Sequence, residues 1–340
     1  MELDPGALGP TEILVRSDIS LVSPGTETSY FTGVMSDAPA IYSQVPAFDG
    51  AGVSDGTAVF PARTGYANVG TVVAAGDGPA QSMLGRSVFT MSRHASIAVC
   101  DTAFFAVEVP AMLDPRVAVF ARLAGVGITA LRAAHAAAGD PVAVVGLGLV
   151  GNLAAQLFQL AGCEVVAFDP SAERRDVARQ CGVATVVDPI VDNPVEFMRS
   201  RSGGDVADGA AITVEATGQP SLAVQAIEMT AQYGSVVLLG TPRVRYSADL
   251  TGALARVHWL AINVLGGLEW RYPIAKRTPR ARFTIEDNYR QILAWLAAGR
   301  LQTHPLATHV LAPEQCQNAY QGIANDPQRH LGVLFDWSTF

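Results

Sequence analysis

Residues 141–163 read PVAVVGLGLVGNLAAQLFQLAGC, 23 positions without a charged side chain. That length is enough for a helix to span a bilayer. But Gly146, Gly148 and Gly151 interrupt the run early, and Asn152, Gln156 and Gln159 follow at roughly helical spacing. A buried strand at VAVV, a tight glycine turn and a buried helix from 149 fit these residues better than a lipid-facing helix.

Working outward, strands and helices alternate. A helical stretch at 115–138 ends at Gly139-Asp140-Pro141, a stop signal. After the 141–163 unit come EVVAFD as a strand, AERRDVARQC as a helix, ATVVD as a short strand and a helix near 193–201. AAITVEATG then reads as a strand, SLAVQAIEMTAQYG as a helix and SVVLLG as a strand. This order implies a parallel sheet covered by helices on both faces. The first 118 residues differ. They hold short β-rich runs at 12–22, 66–76, 86–91 and 95–100, separated by Gly, Pro and Asp, as in a small antiparallel barrel or sandwich. Beyond about 265 the alternation stops. Helices are expected at 284–298 and 313–323 and a last strand at HLGVLFDW (330–337), returning to the first domain. The expected domains are therefore 1–122 with 266–340, and 123–265.

Gly146-Leu147-Gly148-Leu149-Val150-Gly151 is G-x-G-x-x-G, placed after an apolar strand and at the start of a helix. The first glycine permits the turn, the second lets backbone approach a pyrophosphate, and the third allows close helix–strand packing. The helix start offers unpaired N–H groups to phosphates. The next strand ends at Asp169, 18 residues past Gly151, at the spacing of a carboxylate that holds adenosine ribose hydroxyls. A 2′-phosphate there would meet like charge, so NAD(H) is favoured over NADP(H), unless Arg174 or Arg175 swings beneath the ribose. Thr217, Gly240, Thr241 and Leu265 lie at or near the ends of later strands and complete the expected cofactor set.

The bulk numbers exclude other classes. Acids outnumber bases 31 to 23, for a net charge of −8, which argues against nucleic acid and anionic membranes as main partners. Cys100, Cys163, Cys181 and Cys316 have no metal-site spacing and read as buried, reduced thiols. MELDPGALGPTEILV lacks the basic and apolar regions of a signal peptide, so a cytoplasmic location is expected. Lys276 is the only Lys, in a basic loop at 272–282 read as solvated surface.

Together with the β-rich first domain, these residues resemble the medium-chain dehydrogenase/reductase superfamily. Further likenesses are GYANVGTV (65–72) to the family's G-H-E-x-x-G-x-V, GRSVF (85–89) to its G-D-R-V, and the terminal LGVLFDW. The resemblance spans roughly 11–337. It implies a Rossmann doubly wound parallel sheet plus a GroES-like β-rich catalytic domain, and hydride transfer at nicotinamide C4. It also implies a homodimer paired through a stretch such as VHWLAINVLGG (257–267). In zinc-containing relatives three positions supply metal ligands; here they hold Pro24, Tyr66 and Arg122. None offers the thiolate, imidazole or carboxylate that zinc takes, so the resemblance implies a zinc-independent member. The turn SPGTETSYFTG (23–33) resembles, in its SPGTE start, a zinc-less branch that includes bacteriochlorophyllide 3-hydroxyethyl dehydrogenases; the substrate is not carried over.

Without a metal, hydrogen-bond donors must stabilise the developing oxyanion and a side chain must carry the proton. Tyr66 replaces a His ligand and either donates to the reacting oxygen or fills the vacated volume. Thr26 matches a proton-relaying hydroxyl or stabilises a turn. Glu27 orients Tyr66 or pairs with Arg122. His94 is an acid/base candidate or an ordinary core or surface His. Ser29, Tyr30, Trp270 and Arg271 are candidate pocket residues, and His304 and His309 read as structural. The leading function is oxidation of a secondary alcohol, or the reverse, with NAD(H). The alternatives are reduction of an activated C=C or C=N bond, and a non-catalytic nucleotide-binding relative.

Overall fold

The computed structural model describes residues 6–32, 53–54, 57–58, 64–242, 244–275 and 282–338. Lys276 and most of its basic loop, Gly33, and the Tyr30 side chain lie outside the described set. The chain divides into two compact units, Met1–Arg122 with Tyr272–Phe340, and Leu123–Arg271. The second break therefore falls after Arg271, where the sequence put it after 265.

The Leu123–Arg271 unit is built on a parallel sheet. Among the described residues its strand order is Thr185–Val187, Glu164–Phe168, Pro141–Val145, Ala210–Glu215, Thr230–Leu238 and Asn263–Gly266. All neighbouring pairs are parallel. In chain order that is 3-2-1-4-5-6, the doubly wound arrangement, with its switch point between Pro141–Val145 and Ala210–Glu215. Both faces are covered. Val142 and Val144 enter one core cluster, while Ala143 and Val145 enter the other, following the two-residue period of a strand.

Helix Leu149–Leu160 buries Leu149 and Gly151 to Phe158. Its polar residues fasten it within the protein. Gln156 Nε2 donates to Asn152 Oδ1 at 2.8 Å. Gln159 donates to the Gly182 carbonyl at 2.9 Å and accepts from Ala184 N–H at 3.0 Å. Among the described residues no helix is long and apolar enough to cross a membrane.

Two helices come out shorter than the sequence pattern suggests. The 115–138 stretch is Pro115–Ala118, capped by Asp114, and then Ala121–Ala133. The helix expected through Gly234 stops at Met229, and Thr230 opens the next strand. The buried Thr230 hydroxyl bonds to Thr213 Oγ1 at 2.7 Å on the neighbouring strand. A β-branched residue with a cross-strand partner leaves the helix for the sheet.

The other unit carries a seven-stranded sheet among the described residues. Its order is Ala307–Leu311, Gly332–Asp336, Glu12–Leu21, Asn68–Ala75, Ser87–Thr90 and Val107–Glu108, with Ile97–Asp101 also on Glu12–Leu21. All pairs are antiparallel except the first two strands. Ile19 faces Asp336 across the sheet and Ser20 faces Asn68, so the C-terminal strand lies beside the N-terminal one. Val72, Val88, Ile13 and Val15 form a core cluster beneath this sheet.

The SPGTETSYFTG segment, read as a turn, is mostly a helix, Pro24–Phe31. Pro24 occupies the first helical position, where its missing N–H costs nothing. The Glu27 carboxylate reaches back to the Ser23 N–H at 2.7 Å. Ser29, 4 % exposed, donates to the Gly25 carbonyl at 2.5 Å, which turns it onto its own helix.

Candidate active site and dinucleotide cradle

The glycine motif sits at the carboxyl end of Pro141–Val145. Gly146 has φ +92°, a left-handed conformation that favours glycine, and a Cβ there would lie 2.5 Å from Thr217 Cγ2. A Cβ on Gly151 would lie 1.8 Å from the Gly146 carbonyl oxygen. Gly148 is different: a Cβ there meets nothing within 4 Å. Two glycines thus hold the turn against the helix, and the middle one leaves open space beside the helix start. Gly148 is the N-cap residue and no side chain caps the helix, so its first N–H groups suit an anion.

Asp169 is 2 % exposed. Its Oδ2 accepts the Leu147 N–H at 2.8 Å and its Oδ1 the Ser171 N–H at 2.8 Å. The carboxylate therefore ties the glycine turn to the end of Glu164–Phe168. Arg174 Nη1 lies 3.7 Å from Asp169 Oδ2. Arg175 donates to the carbonyls of Asp169 and Pro170, both at 2.8 Å, and pairs with Asp188 at 2.9 Å.

Leu147 and Leu149 are buried, and Val150 and Leu265 are partly buried against the same core cluster. Thr217 lies against Gly146. A Cβ on Gly218 would meet the Thr241 carbonyl at 2.3 Å, and one on Gly240 would meet Gly218 N at 2.1 Å. The loops after the fourth and fifth strands are therefore in backbone contact at the carboxyl edge. Glu215, to which the sequence assigned no role, organises them. It is 1 % exposed, bonds the Thr217 hydroxyl and accepts the Thr217 N–H at 2.7 Å and the Gly218 N–H at 3.1 Å. Its carbonyl takes the Leu239 and Gly240 N–H groups, both at 2.8 Å. Burial pushes its carboxyl pKa up, opposed by the Thr217 and Gly218 bonds. These residues fit a dinucleotide: an open middle glycine, free helix-start donors and a carboxylate at the ribose position.

Trp270 and Arg271 belong to the short helix Glu269–Arg271, and Arg271 donates to the Gly266 carbonyl at 2.8 Å.

The other candidate residues gather in the Met1–Arg122 and Tyr272–Phe340 unit. Tyr66, at the entry to Asn68–Ala75, donates from Oη to Ser23 Oγ at 2.5 Å, with Thr26 Oγ1 3.1 Å away. The Arg122 guanidinium lies over the Tyr66 ring, 4.7 Å from its centroid, and donates to Tyr289 Oη at 2.6 Å. Tyr66 keeps partial exposure while Ser23 and Arg122 are buried.

Glu27 pairs differently from either expected option. Its Oε2 accepts from Tyr320 Oη at 2.5 Å and lies 3.0 Å from His94 Nε2. Among the described residues it is linked to Tyr66 through Ser23, whose N–H donates to Glu27 and whose Oγ accepts the Tyr66 O–H. His94 Nδ1 meets Ser20 Oγ at 2.8 Å, and Trp337 Nε1 donates to that same oxygen at 2.9 Å. Tyr320 also meets Thr64 Oγ1 at 2.9 Å. Burial, and then the Glu27 charge, push the Tyr320 phenol pKa far up, so it remains a donor. His304 starts a short helix and His309 stacks on His330 with centroids 4.1 Å apart.

Pro24, Tyr66 and Arg122, which the resemblance sets at zinc-ligand positions, do not offer zinc's usual donors. Pro24 has no donor atom, the Tyr66 oxygen is engaged with two hydroxyls, and Arg122 puts a cation where a cation would bind. Among the described residues no three His, Cys, Asp or Glu side chains gather as a metal site.

Comparison with known proteins bears on this geometry. A model described as zinc-binding dehydrogenase matches residues 150–266. L-threonine 3-dehydrogenase from Bacillus licheniformis is 27% identical over 185 residues, 54% of this chain and 48% of that protein. The chain spans about half the length of the curated relatives it matches. The solved alcohol dehydrogenase TADH from Thermus sp. ATN1 superposes with a TM-score of 0.74 at 22% identity, over 99% of this chain and 95% of that one. A short chain alcohol dehydrogenase from E. coli CFT073, complexed with NADH, gives 0.72 at 14% identity over 99% and 95%. By the family model over 150–266 and by fold over nearly its whole length, the chain is similar to medium-chain, alcohol-dehydrogenase-like proteins. The family model covers only the parallel-sheet part of the chain and leaves Pro24, Tyr66 and Arg122 outside its match.

Proposed function

We propose that this chain is a zinc-independent dehydrogenase that transfers hydride between NAD(H) and a secondary alcohol or ketone. The observation that carries the reading is the Tyr66 hydroxyl, held between Ser23 and Thr26 beneath the Arg122 guanidinium where zinc relatives place a ligand. When bound, the nicotinamide gives or takes hydride at C4. In ketone reduction Tyr66 donates a hydrogen bond to the carbonyl oxygen and then its proton, and the guanidinium stabilises the charge that develops. In oxidation, the reverse, Tyr66 would act as the phenolate left by that transfer and take back the alcohol proton, with Ser23 and Thr26 turning to donate to the phenolate oxygen. A relative named as a threonine dehydrogenase and a neighbour named as an alcohol dehydrogenase support this reaction class.

NAD(H) is preferred on two grounds. Asp169 presents a negative charge at the ribose position, and Arg175 is already engaged by two carbonyls and Asp188. Solved neighbours are complexed with NADH and with NADP, so they support a nicotinamide cofactor and the choice rests on these two grounds. A homodimer is part of this reading, joined through the edge strand Asn263–Gly266, whose Val264 is exposed.

The experiment offers NAD with a panel of secondary alcohols, then NADH with enones and imines, and follows reduced-nicotinamide absorbance. Turnover with the alcohols is expected. Turnover confined to enones or imines would replace this reading with the activated-bond reductase. Tight NADH binding without turnover would leave a nucleotide-binding relative.

A further inference from the structure

Asp188 is the first residue after Thr185–Val187, and Val187 pairs with Phe168. This register sets Asp188 beside Asp169 at the carboxyl edge of the sheet, next to the ribose position of the proposed function, on which this inference rests. The Asp188 side chain divides its work. Oδ1 accepts the Ile190 N–H at 2.9 Å, and Oδ2 pairs with Arg175 Nη2 at 2.9 Å. The other terminal nitrogen of Arg175 is spent on the carbonyls of Asp169 and Pro170.

We propose that Asp188 is a specificity-determining residue: by holding Arg175 it denies a 2′-phosphate the guanidinium it would need, and so enforces NAD(H) over NADP(H). A 2′-phosphate carries about two negative charges near neutral pH, and it is recognised by a guanidinium with a free edge. Around the ribose position stand Asp169, Glu173 and Asp188 against Arg174 and Arg175, so acids exceed bases by three to two. Neutralising Asp188 balances those charges and opens the Nη2 edge of Arg175, while the two backbone carbonyls keep the guanidinium at the same place.

Asp188→Asn is the test substitution. Asn retains an oxygen for the Ile190 N–H, but its amide has no charge to hold Arg175. Asp188→Ser serves as a second variant, and thermal melts confirm that each is folded. Kd values for NADH and NADPH are measured by nicotinamide fluorescence, without substrate. Wild type is expected to bind NADH more tightly than NADPH, and both variants to shift the ratio toward NADPH by about tenfold or more. Adding Arg175→Ala to Asp188→Asn should abolish that shift, because the released guanidinium causes it. An unchanged ratio in folded variants, or a shift that survives Arg175→Ala, overturns the inference while leaving NADH binding intact. A wild-type chain that binds neither dinucleotide overturns the proposed function and this inference together.

Discussion

Tyr66 Oη sits 2.5 Å from Ser23 Oγ and 3.1 Å from Thr26 Oγ1, and removing that single oxygen separates chemistry from packing. Tyr66→Phe keeps the ring beneath Arg122, so the fold and KM should change little. Its kcat should fall about 10²-fold or more, as for loss of a positioned acid/base; an unchanged kcat would reduce Tyr66 to a space-filler. The thiols make a second residue-scale test. Cys163 and Cys181 have pKa values pushed up to about 11 and about 12 by burial, and Cys100 is raised for the same reason. Cys316, read from sequence as one more buried thiol, is exposed. An aromatic disulfide reagent at pH 8 should therefore label one thiol per native chain quickly and all four only after denaturation. A family motif and the SPGTE segment bring Tyr66 and Thr26 forward as candidates, and their oxygens lie 3.1 Å apart, though Thr26 sits in a helix where the sequence reads a turn. Glu27's partners were not. Tyr320 lies 293 positions away in sequence, and no local pattern announces that a C-terminal phenol will meet an N-terminal carboxylate.

The glycine turn and its helix are the most legible element, since 146–151 state their packing in residue types alone. Gly148→Ala and Gly151→Ala should behave oppositely. The first adds a methyl to open space at an ordinary φ of −61°, so thermal stability should hold while NADH binding weakens at least tenfold. The second drives Cβ to 1.8 Å from the Gly146 carbonyl, which overpacks a filled interior and should cost about 1–3 kcal/mol along with binding. Equal melting temperatures for the two variants would contradict this division. Periodicity did less well where two structures compete for one stretch. The 221–234 run has helical spacing, yet Thr230 gains a cross-strand hydroxyl bond and starts a strand. In PGTETSYF, turn formers sit in a helix because Pro24 suits a first position and Glu27 bonds the Ser23 N–H.

At the scale of the whole molecule, the alternation of strands and helices between 141 and 266 points directly to the doubly wound sheet, because its central strands Pro141–Val145, Glu164–Phe168 and Ala210–Glu215 are apolar and buried on both faces. The β-rich unit was legible as strands but not as a sheet order, since its N- and C-terminal strands pair across most of the chain length. Exposed Val264 on the edge strand should make Val264→Lys shift the proposed homodimer toward monomer in light scattering; a wild-type monomer would remove that part of the reading. In the proposed reaction, protein hydrogen bonds and the Arg122 charge, in place of a coordinated metal, manage the reacting oxygen. Its most direct test is alcohol oxidation with NAD by protein dialysed against a strong chelator, with zinc counted on the same sample. Well under one zinc per chain and undiminished turnover are expected; turnover that disappears with a stoichiometric zinc and returns when zinc is added back would rule out the metal-free reaction.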